Sequence, residues 1–203
     1  ASQPGLCVIA SRQGLTDLSG HEGAGVGAVA LEHLSVTAGT ALLRHLGTRG
    51  RDTEMAEAVK EYGGHALALR LLGGYIAAVY DGDIRKRDRV PALTKERSKG
   101  GHAGRVMDAY CFWLGDSPER DILRILGLFD RPAPKGAMEA LKADPVIPGL
   151  TGQLRELSEE DWHYALRNLR AANLLGAEAP RRRGDLDCHP LVREHFGEKL
   201  ERE

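Results

Sequence analysis

Residues 187–196 read DCHPLVREHF, and this stretch decides how the second half of the chain is interpreted. Proline fixes φ near the helical value and lacks an N–H group that a first helical turn does not use. Pro190 is therefore predicted to be the first residue of a helix, with His189 as its N-cap. Apolar residues then recur at three- and four-residue spacing through Phe196 to Leu200, which is typical of an amphipathic helix.

His189 has two interpretations at this position. A helix start carries a positive dipole end and unpaired N–H groups, which favour a phosphate, and a histidine there adds a switchable donor. The simpler alternative is a closing amphipathic helix in which the histidine is only a cap. The spacing alone leaves both interpretations open.

The composition is typical of a globular protein, with 203 residues, 42% hydrophobic, 28% charged and a net charge of −1. A charge this close to zero gives no overall attraction to nucleic acid or acidic lipid. No apolar run has the length of a membrane span and no secretory leader pattern is present, so we expect a cytoplasmic protein with no membrane partner. Cys7, Cys111 and Cys188 have neither metal-ligand nor disulfide spacing, which favours reduced thiols over a metal or redox role.

The N-terminal residues indicate part of a larger α/β domain. Leu6–Ala10 is a short continuous apolar run, and Val26–Leu31 is a second strand candidate. Strands that are apolar on both faces are typical of a buried parallel sheet. Two such strands cannot cover their own faces, so we expect residues 1–34 to be the tail of an α/β domain that lies upstream.

Helices are predicted for most of the remaining chain. Three of them, bounded by Ser35, Gly63-Gly64 and Gly82, predict a small bundle over residues 35–82. Residues 83–104 are charged and contain glycine, and we interpret them as a linker.

Residues 105–203 are predicted to form a winged-helix domain. Helices fill its first part, and Ser158 is a predicted N-cap of one of them. Two short strand candidates follow at 174–177 and 185–188, before the closing helix. The predicted fold class is therefore mainly α, a small helical bundle followed by a winged-helix domain, with an N-terminal remnant of a parallel α/β sheet.

Five short segments occur in an order known from one family: VIASR at 8–12, LEHLS at 31–35, GGHALAL at 63–69, LGLF at 126–129 and CHPL at 188–191. In this order they resemble the sensor-arginine strand, the strand-to-helix junction, the GGLPLAL segment, the start of the winged helix and the MHD-like motif of STAND-class signalling NTPases. This class contains the NB-ARC and NACHT-like ATPases. The resemblance covers essentially the whole chain, as the second half of the family's nucleotide-binding module.

The resemblance implies nucleotide-binding roles for four residues. Arg12 would contact the terminal phosphate as the sensor arginine, and the alternative is an arginine that caps a sheet edge. His65 and Ala66 replace the family's leucine and proline beside the adenine, where simple helix packing is the alternative. His189 would bond the β-phosphate of ADP and hold the winged domain closed, although the family's following aspartate is Pro190 here.

The sequence contains neither a G-x-x-x-x-G-K-S/T loop nor an acidic strand end of Walker-B type. We therefore expect no catalytic residues, no metal ligands and no ATP hydrolysis in this chain alone, and ADP or ATP with magnesium in a full-length parent ATPase. The predicted function is a nucleotide-sensing lid that couples the ADP or ATP state to closed and open conformations and to oligomerisation. The implied partners are an upstream P-loop NTPase domain of the same chain, effector and repeat sensor domains, and further copies on activation.

Two other functions remain open. The first is a winged-helix regulator that binds nucleic acid, favoured by Arg181-Arg182-Arg183 on the predicted wing. Glu159-Glu160-Asp161 opposes it, because these carboxylates begin the predicted recognition helix and would face phosphates with like charge. The second is a structural interaction scaffold whose nucleotide motifs have decayed.

Overall fold

The computed structural model describes residues 5–9, 11, 15–21, 23, 25–31, 33–90 and 101–201. The chain divides into two compact units, Ala1–Glu32 and His33–Glu203. Helices dominate the described part, so the prediction of a mainly α protein is confirmed. No helix among these residues combines the length and the apolar character needed to cross a membrane.

The first unit contains one short helix, α1 (Thr16–Ser19). Residues 5–9 and 27–31 belong to neither a helix nor a strand. The side chains of Leu6 and Leu31 are both 92% exposed, although the sequence pattern predicts buried strands there. A strand requires a ladder of hydrogen bonds to a neighbouring strand, and among the described residues of this unit only Val26 is a bridge residue, so the sheet remnant stays a prediction.

The second unit begins with the helices α2 (Val36–His45), α3 (Asp52–Glu61), α4 (Ala66–Tyr80), a 3-10 helix (Ile84–Arg89) and α5 (Gly101–Leu114). Of these, α2, α5 and the 3-10 helix contact α4, and α3 contacts α2. The predicted cap of α2 is present, since Ser35 Oγ accepts the Ala38 N–H at 3.2 Å. Leu69, Leu72 and Ile76 of α4 are completely buried, because this helix lies against α2 on one side and α5 on another.

Helix α5 starts four residues before the predicted start at Arg105, inside the predicted linker. Ala103 and Gly104 of its first turn are buried, and Ile84 and Val90 are buried before it. Packing of α5 against α4 therefore offsets the intrinsic cost of glycine in a helix, which is about 1 kcal/mol per residue.

The rest of the unit contains five helices in the described range 101–201 besides α5. These are α6 (Pro118–Leu126), α7 (Lys135–Lys142), α8 (Gly152–Glu156), α9 (Glu159–Ala171) and α10 (Pro190–Leu200). Helix α6 contacts both α9 and α10. It ends at Leu126, and Leu128 beyond it is 56% exposed.

Three short segments approach each other between these helices. Ala133 and Leu186 form an isolated antiparallel bridge, with N–H···O distances of 2.8 and 2.9 Å. The Gly176 N–H donates to the Asp187 carbonyl oxygen at 2.7 Å. The predicted strand segments 174–177 and 185–188 therefore meet through the Gly176–Asp187 hydrogen bond, and Leu186 pairs with Ala133.

Two close contacts connect the helices of the second unit. A Cβ atom on Gly127 would lie 2.5 Å from Gly197 Cα, so the end of α6 touches the backbone of α10 directly. The buried Tyr110 hydroxyl of α5 lies 2.6 Å from the carbonyl oxygen of Ala172, at the end of α9. It also lies 3.2 Å from the carbonyl oxygen of Leu71 in α4.

Candidate functional site

The structure brings together three of the four predicted site residues, and the fourth, Arg12, lies outside the described residues. His65 and Ala66 begin α4, and His189 begins α10. The pKa of His189 is lowered by partial desolvation, then by the positive charge of Arg70 and by His65. Arg70 Nε on α4 donates to Asn173 Oδ1, and the Gly176 N–H donates to the Asp187 carbonyl oxygen, so these two hydrogen bonds and the short segment between them link α4 to the start of α10.

Both histidines cap their helices in the same way. His65 Nδ1 accepts the Ala68 N–H at 3.3 Å, and His189 Nδ1 accepts the Leu191 N–H at 3.2 Å. The predicted N-cap role of His189 is therefore confirmed. An accepting Nδ1 carries no proton, so each neutral ring carries its proton on Nε2. Each cap thus leaves one ring N–H donor that its helix does not use.

The backbone at the start of α10 is fully occupied. Pro190 has no N–H group, Leu191 donates to the cap, and Val192 and Arg193 donate to the His189 carbonyl oxygen at 2.9 and 3.1 Å. The expectation of unpaired N–H groups at this helix start is therefore wrong. What α10 offers a ligand here is the Nε2–H of His189 and the dipole of the helix.

The start of α4 is different. The N–H groups of Ala66 and Leu67 have no hydrogen-bond partner among the described residues. The proline of the resembling family would remove the first of these donors, since proline lacks an N–H. Alanine at position 66 therefore adds a donor to the neighbourhood of the two histidines.

The double glycine before α4 sets the position of His65. Gly63 and Gly64 have φ values of +61° and +67°, in the left-handed region that favours glycine. The Gly64 carbonyl accepts the Leu34 N–H at 2.8 Å, and a Cβ on Gly64 would lie 2.4 Å from the Leu34 carbonyl oxygen. This close approach places the ring of His33 with its centroid 6.0 Å from that of His65.

Arg70 is a site residue that sequence reasoning missed. It follows Ala66 by one helical turn, which puts it on the same side of α4, and its side chain is exposed. Its Nε donates to Asn173 Oδ1 at 3.3 Å, just after the end of α9. The four-residue spacing between Ala66 and Arg70 is the sequence signal that could have identified it, because it puts both residues on one side of α4. The positive charge of Arg70 contributes to lowering the pKa of His189, after desolvation.

An ion pair holds the segment on which His189 lies. Arg193 of α10 is only 8% exposed, and its guanidinium donates to Asp187 Oδ1 at 2.7 Å and to the Cys188 carbonyl oxygen at 3.3 Å. The side chain thus reaches back across the helix start to the two residues before His189. This ion pair was not predicted from the sequence, because an arginine on a helix is usually a solvated surface residue.

The groups at this site are hydrogen-bond donors, and one of them carries a positive charge. They are two ring N–H groups, two backbone N–H groups and one guanidinium, a set that suits an anion such as phosphate. Among the described residues, no group of three or more His, Cys, Asp and Glu side chains could hold a metal ion.

No family model matches the chain, and no curated protein sequence matches it either.

Proposed function

We propose that this chain is the nucleotide-sensing lid of a STAND-class signalling NTPase. The observation that carries the proposal is the convergence of the capping histidines His65 and His189 with the guanidinium of Arg70. Two helix starts with outward donors and a nearby fixed cation form a surface suited to the phosphates of ADP.

The order of the helices in the unit His33–Glu203 supports two parts with different roles. Helices α2 to α5 would be the helical subdomain, and α6 to α10 the winged-helix domain. The order along the chain is helix α6, a bridge residue at Ala133, three helices, a hydrogen bond at Gly176, the bridge partner Leu186 and the closing helix, and this order supports the second assignment. His65 would then act from the first part and His189 from the second.

In the proposed mechanism, His189 senses the phosphates with its Nε2–H. A hydrogen bond to a charged phosphate is worth about 1.5–3 kcal/mol. That energy shifts a closed-to-open equilibrium by roughly ten- to a hundredfold in favour of the ADP-bound closed form. The phosphate loop and the magnesium ligands would come from a P-loop domain of the same parent, which would perform the hydrolysis.

The test is the release of a fluorescent ADP analogue from the full-length protein, followed by stopped flow. His189→Ala removes both the cap and the Nε2–H donor, whereas His189→Asn keeps a capping side chain and removes the ring donor. We expect both variants to release ADP at least about tenfold faster than the wild type, from the energy above. His163→Ala, at an exposed histidine of α9, is the matched control.

Two outcomes would contradict this proposal. If His189→Ala speeds release and His189→Asn does not, the histidine is only a helix cap. If the full-length protein neither co-purifies with nor binds adenine nucleotide, the lid assignment fails altogether. Thermal melts of each variant confirm that the domain is folded.

A winged-helix regulator that binds nucleic acid is the second candidate. Arg181, Arg182 and Arg183 are all exposed on the segment that would be the wing, and Arg167 is exposed on α9. Retention on DNA-cellulose that falls steeply with salt, and that weakens on exchange of the three arginines for glutamine, would favour this function.

A further inference from the structure

A thiol, an imidazole and a carboxylate meet where α5 contacts α10, away from the starts of α4 and α10. Cys111 Sγ lies 3.6 Å from His195 Nε2, and the same nitrogen lies 3.6 Å from Asp108 Oδ1. The Lys199 ammonium lies 3.0 Å from that carboxylate oxygen. Asp108 and Cys111 are one turn apart on α5, and His195 and Lys199 are one turn apart on α10, so helix geometry holds all four.

We propose that Cys111 is a peroxide-reactive thiol and that His195 is the base that converts it to the thiolate. The thiolate is the nucleophilic form of cysteine, and a neighbouring imidazolium favours it. Once His195 takes the proton, its Nε2–H lies between two anions, the thiolate and the Asp108 carboxylate. Lys199 balances the second anion, so proton transfer leaves the network without net charge.

The reaction with a hydroperoxide balances within this cluster. The Cys111 thiolate attacks one peroxide oxygen, an S–O bond forms and the O–O bond breaks. Sulfur is oxidised by two electrons to the sulfenic acid, and the peroxide is reduced. The leaving hydroxide or alkoxide takes the proton from His195 and departs as water or alcohol. The imidazole returns to its neutral state.

The other two cysteines provide internal comparisons. Cys7 is exposed, in the unit Ala1–Glu32, and Cys188 is buried with only 6% of its surface accessible. Burial raises the pKa of the Cys188 thiol, so it should stay protonated and unreactive in the folded chain. Cys111 is partly buried, and within the part of the chain that the structure describes its thiol is the one that lies within hydrogen-bond distance of an imidazole. The proposal is independent of nucleotide binding.

The first experiment measures the iodoacetamide alkylation rate of each cysteine in the intact chain by peptide mass spectrometry. An ordinary thiol with a pKa near 8.5 should slow by about fiftyfold between pH 8.5 and pH 6.5, and Cys7 is measured alongside as the exposed comparison. Cys111 should slow by less than about tenfold, because its thiolate persists to lower pH. In His195→Asn, Cys111 should follow the same curve as Cys7, whereas His163→Asn should change nothing.

The second experiment treats the chain with one equivalent of hydrogen peroxide and traps sulfenic acid with dimedone. We expect the adduct on Cys111 in the wild type and its loss in His195→Asn. Alkylation of Cys188 reports unfolding in either experiment, and if His195→Asn unfolds, Asp108→Asn replaces it with the same expected direction. A Cys111 pH curve equal to that of Cys7, or a dimedone adduct unaffected by the folded variant, would overturn the proposal.

Discussion

The Tyr110 hydroxyl lies 2.6 Å from the carbonyl oxygen of Ala172 and is completely buried. Burial raises the pKa of Tyr110 well above its ordinary value, so the phenol keeps its proton and remains a donor. This contact ties α5 to the C-terminal end of α9. It also satisfies a helix-end carbonyl that has no partner within its own helix.

Removal of this hydroxyl in Tyr110→Phe should lower the free energy of unfolding by about 1–3 kcal/mol, because a buried carbonyl loses its donor. In a chain of this size that corresponds to a fall in Tm of roughly 2–4 °C for each kcal/mol. Thermal and urea melts measure both quantities. Tyr164→Phe, at a tyrosine that is 55% exposed, should leave them unchanged. Equal stability of the two variants would contradict this role for Tyr110.

The double glycine before α4 offers a matched pair of substitutions. Gly63→Ala should cost about 1–2 kcal/mol, because its φ is +61° but the nearest atom to a Cβ there is 3.9 Å away. Gly64→Ala should cost a further 1–3 kcal/mol or so, because its Cβ would also meet the Leu34 carbonyl oxygen. Urea unfolding gives the difference, and equal costs would mean that the Leu34 contact is unimportant.

The stability of the chain should depend on the charge state of His189. Its pKa is lowered in the folded protein, so the unfolded chain takes up this proton more readily. Its contribution is present above the unfolded pKa of about 6.5 and is lost as pH falls towards the lower folded-state pKa. The slope of unfolding free energy against pH between about 5 and 7 should therefore be shallower in His189→Asn than in the wild type.

Asparagine keeps a capping group at position 189 but does not titrate, so the comparison isolates the proton. His21→Asn, at an exposed histidine of the other unit, is the control variant. A wild-type slope in His189→Asn would show that neither desolvation nor the charges of Arg70 and His65 restrain protonation of this ring.

The contact between α6 and α10 predicts opposite effects of alanine at two glycines. Gly127→Ala should destabilise by about 1–3 kcal/mol, because its Cβ would lie 2.5 Å from the Gly197 backbone. Gly136→Ala, on α7, has nothing within 4 Å of its Cβ and should stabilise by up to about 1 kcal/mol. Urea melts distinguish the signs, and a neutral Gly127→Ala would mean that the two helices can separate at no cost.

Local signals predicted the helix starts well. Ser35 and Ser158 cap α2 and α9, where their Oγ atoms accept N–H groups of Ala38 and Asp161 at 3.2 and 3.1 Å. Capping depends on residues within three positions of each other, so the sequence alone contains the necessary information. The same is true of His189 before Pro190.

The start of α5 and the contacts between distant residues depend on tertiary packing, which local sequence signals do not contain. The start of α5 at Gly101 was not predicted because glycine disfavours helices. Contact with α4 stabilises that first turn. The proximity of His65 to His189, and the roles of Arg70 and Arg193, depend on elements far apart in the chain. No periodicity in the sequence reports such distances.

The Gly127–Gly197 contact also has a mechanical consequence. At this crossing point backbone lies directly against backbone, with no side chain of either glycine between the end of α6 and α10. A crossing this close resists sliding of α10 against α6, so we expect the two helices to move together. Any hinge that responds to a ligand at His189 must lie outside this pair, where side chains can slide past one another.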